Sequence, residues 1–79
     1  MKPPETLTPA TAEERFITEG PNSGGIAGWL LHDGHMFSFW QDFGSGAVHT
    51  GIPVSEWLSR YAVRHPTIAA RLRAGSAPA

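Results

Sequence analysis

A chain of 79 residues without cysteine and with a formal net charge of −1 has room for one domain with a thin core, burying only about 60% of its unfolded surface. The missing thiols exclude disulfides, Cys-type zinc sites, iron–sulfur clusters and a thiol nucleophile. The near-neutral balance lacks the basic excess of a non-specific nucleic-acid binder. No apolar run approaches the roughly 18 residues of a membrane span, and Met1-Lys2-Pro3-Pro4-Glu5 lacks the apolar core of a signal peptide. A cytoplasmic protein is expected.

Residues 1–10 hold Pro3, Pro4 and Pro9 and offer almost nothing to bury, so they are expected as a flexible N-terminal tail ahead of a single α+β domain over 11–75. Thr11-Ala12-Glu13-Glu14 has the spacing of a helix capping box. The β-favouring run Arg15-Phe16-Ile17-Thr18, stopping at Gly20-Pro21, competes with it and tips residues 11–19 toward a short strand. Asn22-Ser23-Gly24-Gly25 reads as a loop.

Ile26 to Phe43 carries the most information. Two apolar runs, Ile26–His32 and His35–Phe43, flank Asp33-Gly34, whose residues suit the positive φ angles of a type I′ turn. A two-residue loop fixes the register, pairing His32 with His35 and, at the far end, Ile26 with Gln41. Alternation then places Ile26, Leu30, Phe37 and Phe39 on one face, and Trp29, Leu31, Met36 and Trp40 on the other. Neither face is polar, so the hairpin requires cover on both sides.

Gly44-Ser45-Gly46 is a turn, and Ala47–Ile52 reads as a further strand ended by Pro53. Ser55 is the expected N-cap of a helix running to about Arg64, with Trp57, Leu58, Tyr61 and Ala62 along one stripe. Pro66 closes that helix and opens a second, bearing Ile68, Ala69 and Leu72 and stopping at Gly75. Residues 76–79 are expected as a C-terminal tail. The expected fold is a small antiparallel sheet of three to four strands around the central hairpin, packed by one or two C-terminal helices.

Catalytic and metal chemistry find little support. His32 and His35 face each other, with His49, Asp33 or Asp42 as a third metal ligand, but no helical His-x-x-x-His or His-Glu pair exists. No Gly-x-Ser-x-Gly elbow, P-loop or Gly-x-Gly-x-x-Gly fingerprint occurs. No cofactor, no metal and no enzymatic activity are therefore expected. Residues 1–42 carry two cations against six carboxylates, and residues 43–79 four arginines against Glu56. Arg60, Arg64, Arg71 and Arg73 could grip phosphates, which gives a second reading as a nucleic-acid-binding accessory protein. The leading reading is protein binding through Trp29, Leu31, Met36 and Trp40, an aromatic and Met surface, with Asp33, Asp42 and Glu19 beside it. A small structural subunit or a homodimer that buries the Trp face is a third reading.

In its size, its lack of cysteine and of a catalytic motif, and its expected binding face, the chain resembles the small phage-encoded inhibitors of bacterial defence complexes, the anti-CRISPR proteins. The Ala/Arg-rich stretch His65–Ala74 is compatible with a GC-rich bacterial or phage source. The likeness is one of character; no motif carries it and no functional residue transfers. It implies a protein that blocks a CRISPR effector by occupying a nucleic-acid channel or a subunit surface, with Glu13, Glu14, Glu19, Asp33 and Asp42 meeting basic DNA-contacting residues.

Overall fold

The computed structural model describes residues 1–22 and 24–76, with Asn22 and Ser76 in backbone only. Its elements are β1 (Glu14–Asn22), β2 (Gly25–His32), β3 (His35–Asp42), β4 (Ser45–Val48), β5 (Ile52–Pro53), α1 (Val54–Tyr61) and α2 (Pro66–Ser76). β1 to β4 form an antiparallel meander in chain order, and β5 pairs with the start of β3. This is the expected α+β class, a sheet around the central hairpin with two C-terminal helices.

The hairpin turn has the conformation its residues favour, with φ of 49° at Asp33 and 71° at Gly34. The β2–β3 register runs from His32↔His35 to Ile26↔Gln41, as the two-residue loop dictates. Because each pair shares a face, the register fixes both layers of the core. On one face Leu30, Phe37 and Phe39 are buried with Leu7, and Ile26, Val48 and Ala12 pack around them. On the other, Met36 is buried with Trp57, Ile68, Ala69 and Leu72, with Phe16, Trp29, Leu31 and Ile52 alongside. Each fully buried Leu, Met or Phe contributes about 1.5–3 kcal/mol of transfer free energy.

The first face receives its cover from a segment expected to have nothing to bury. Leu7 is only 6% exposed. The backbone around it is fastened at both ends. The Met1 ammonium donates to the Gly51 carbonyl and the Gly51 N–H returns the bond to Met1 O, each at 2.7 Å. At the other end the Thr11 hydroxyl donates to Thr6 O at 2.6 Å, and the Thr8 N–H donates to Thr11 Oγ1 at 2.8 Å. Thr11 is thus consumed by a turn and no capping box forms. The Glu13 N–H donates to Leu31 O at 3.0 Å, committing the chain from Glu14 onward to the sheet.

Other boundaries also move. β1 does not stop at Gly20-Pro21; it runs to Asn22 with register shifts after Ile17 and after Glu19. The expected Gly44-Ser45-Gly46 turn falls instead on Phe43-Gly44, so Ser45 and Gly46 already belong to β4. The expected strand Ala47–Ile52 breaks between β4 and β5, where Gly51 turns its backbone polar groups to Met1. α1 begins at Val54 with Pro53 as a cap lacking a side-chain bond, so Ser55 is not the N-cap. The Val54 N–H donates instead to Gly34 O at 3.0 Å, seating the helix start against the hairpin turn. α1 ends at Tyr61, short of Arg64, and α2 continues through Gly75 to Ser76. Ser23 of the expected loop and residues 77–79 of the expected tail lie outside the described residues.

Candidate partner-binding surface

The helices reach only part of the Trp-bearing face. α1 starts beside the Asp33-Gly34 turn, and its eight residues span about 12 Å. The eight-residue strands beneath extend over about 26 Å. α2 is tied to the same end at Arg71, whose Nε and Nη2 donate to the Glu14 carboxylate at 2.8–3.0 Å, and its start lines a groove with Phe16, Ile17 and Thr18 without reaching Trp40. The turn end of the face is therefore helix-covered core. The opposite, distal end lies beyond it.

This geometry divides the residues that sequence reasoning grouped as one binding face. Met36 is fully buried and belongs to the core. Trp29 is half-buried, its ring 5.7 Å from Trp57 in an edge-on arrangement and 5.0 Å from Tyr61. Leu31 packs against the same cluster. Of these three, Met36 has no surface left to offer a partner, whereas Trp29 and Leu31 keep only the part of theirs that the helix cluster leaves open. Trp57 also stacks near His65, with centroids 6.2 Å apart. Its Nε1 is buried without a hydrogen-bond partner among the described residues, so packing alone fixes this ring.

Trp40 behaves differently. It is 40% exposed and lies outside the helix-covered cluster. The strand registers place Glu19, Ala27, Trp40 and Ala47 in one row across β1 to β4. Glu19, Ile26, Ala27 and Trp40 line a shallow depression of about 170 Å³ there. Asp42, paired with Ser45, lies next on the same face. Asp33 is at the far end of the hairpin, where its N–H donates to Glu13 Oε2 at 2.7 Å and its carbonyl meets His35 Nδ1. The structure therefore assembles Trp40, Asp42 and Glu19, and separates Asp33 from them.

Sequence reasoning misses one residue of this end. Phe43 occupies the two-residue β3–β4 turn and is 90% exposed. Gly44 takes φ of +82°, a conformation that a side chain there would strain. The Ser45 hydroxyl donates to Asp42 Oδ1 at 2.6 Å and closes the turn from the side. An aromatic residue directly before a glycine at a strand end was the available signal.

The arginines do not share one function. Arg71 is held by Glu14, whose hydrogen bonds and charge raise the pKa of the guanidinium above its ordinary value. Arg60 approaches Glu56 at 3.7 Å in an i, i+4 pair on α1. Arg64 lines a groove of about 430 Å³ with Phe16, Ile17, His65 and Ile68, and Arg73 is exposed on α2. His32 lies 3.8 Å from Glu13, and no group of three His, Asp or Glu side chains is placed to hold a metal ion among the described residues. None of the described helices is long and apolar enough to cross a membrane. No family model, curated protein or solved structure matches the chain.

Proposed function

We propose that this protein is a non-enzymatic protein-binding module of the phage-inhibitor type, one that acts in the host cytoplasm by covering a subunit surface of a bacterial defence complex, a CRISPR effector first among them. The observation that carries the reading is the uncovered distal end of the sheet, where Trp40 and Phe43 stay exposed while other aromatics are used in the core. An exposed Trp on the sheet and an exposed Phe at its adjoining turn are the residue types that anchor protein interfaces. The Glu13–His32 contact and the ion pairs Glu56–Arg60 and Glu14–Arg71 lie apart from the Arg64 groove and the Trp40 depression, which fits binding better than acid–base chemistry. The nucleic-acid reading loses support because Arg60 and Arg71 are already engaged by carboxylates.

Affinity capture with the full chain from bacterial lysates, followed by direct binding to the purified partner, tests the reading. Trp40→Ala and Phe43→Ala should each fold normally and weaken that binding. A partner retained with unchanged affinity by both variants refutes the assignment of this surface.

A further inference from the structure

We infer that the distal end is a knob built to enter an apolar pocket rimmed by arginine or lysine on a partner protein; this rests on the protein-binding reading and specifies the chemistry of the partner. Turn tips usually carry Gly, Asn, Asp, Ser or Pro, because those residues satisfy turn geometry. Here the tip residue is Phe43, 90% exposed. The side chain is presented on a two-residue turn whose flanking residues are joined by the Ser45–Asp42 hydrogen bond at 2.6 Å. Little backbone freedom remains to be lost on docking, so the aromatic surface converts efficiently into affinity. Trp40 and Ala27 extend the apolar contact along the adjoining row.

Charge selects the occupant. Glu19 and Asp42 flank Trp40, and the sequence contains no lysine or arginine between Arg15 and Arg60. Asp42 accepts one hydroxyl bond, and a carboxylate has acceptor sites to spare for a cationic partner. Nucleic-acid phosphates and anionic lipid headgroups are repelled by such a rim. A two-fold contact with a second copy would set Glu19 and Asp42 against their own counterparts, which is also repulsive. A basic-rimmed protein pocket satisfies both the apolar tip and the acidic flank.

The test is selection from a random displayed-peptide library on the immobilised full chain, followed by titration with the selected peptides made synthetically. The expected winners combine Arg or Lys with Phe, Leu or Trp. Their affinity should fall about tenfold or more in Phe43→Ala and in Asp42→Lys, and should weaken in about 0.5 M salt. Circular dichroism confirms that each variant is folded. Acidic winners, or winners that ignore Phe43→Ala but are lost in Arg64→Ala, overturn this inference while leaving a protein-binding module. The absence of any enriched peptide counts against both. Light scattering that shows a dimer abolished by Phe43→Ala overturns the inference in favour of a second copy. Phe43-dependent binding to phosphatidylserine vesicles overturns it in favour of a membrane.

Discussion

Replacing Leu7 by alanine tests the claim that the N-terminal segment is a structural layer. Leu7 is 6% exposed and shares a cluster with Leu30, Phe37 and Phe39. The substitution removes three carbon atoms at about 0.8 kcal/mol each, and incomplete collapse of the site adds a cavity term. A segment held mainly at its ends can settle inward, so the net cost should fall toward the lower part of the Leu→Ala range, about 2–3 kcal/mol. A domain of this size has roughly 4–12 kcal/mol of total stability. The melting temperature should therefore drop by about 8–24 °C. Urea and thermal denaturation followed by far-ultraviolet circular dichroism measure it, with an unchanged urea m-value as the sign that only stability has altered. Val63→Ala, at a position 95% exposed, is the neutral control. A Leu7→Ala loss below about 0.5 kcal/mol, equal to a surface substitution, would refute the layer.

The same architecture sets three more outcomes. Trp57→Ala, at a fully buried ring, should cost about 3–5 kcal/mol, whereas Trp40→Ala at the distal end should cost under about 1 kcal/mol; equal losses in urea melts would contradict the division of the Trp face. Gly51→Ala places a Cβ 2.5 Å from Phe37 Cε2, and such overpacking should destabilise by about 1–3 kcal/mol; calorimetry showing no change would mean that Phe37 moves aside freely. Arg71→Ala should lower the melting temperature at low salt, with the deficit shrinking toward about 1 M salt as the Glu14 pair is screened. A deficit independent of salt would assign the effect to the aliphatic stem of Arg71 instead.

The central hairpin is legible because several constraints coincide at Asp33-Gly34: a turn that needs positive φ, two apolar runs of matching length, and a pleat that locks the register once the turn is set. The requirement for cover on both faces is legible from the same register. The source of that cover is legible on one side only. The α1 stripe announces itself through Trp57, Leu58 and Tyr61, whereas Leu7 stands alone among prolines and threonines and generates no periodic signal. Its burial depends on the distant backbone of Gly51, which local pattern cannot report. The candidate site divides for a related reason. Alternation places Trp29, Met36 and Trp40 on one face, but how far a short helix reaches along that face depends on where it is seated, and the Val54–Gly34 bond that seats it is tertiary. Phe43 escapes notice because an apolar residue at the end of an apolar strand looks like more strand.

The meander order has a temporal consequence. Within β1 to β4 each strand pairs with the strand next to it in the chain, and only the short β5 returns to β3 from further along, a topology made mostly of short closures. During synthesis from the N-terminus, these strands and the Leu7 segment emerge before α1 and α2. A nascent chain halted before Pro66 thus carries the sheet and its Leu7 cover, while Met36, Trp29 and Leu31 still lack Ile68, Ala69 and Leu72. That part of the core which the second helix completes in the finished molecule is apolar surface in the unfinished one, and it is closed only when α2 is added.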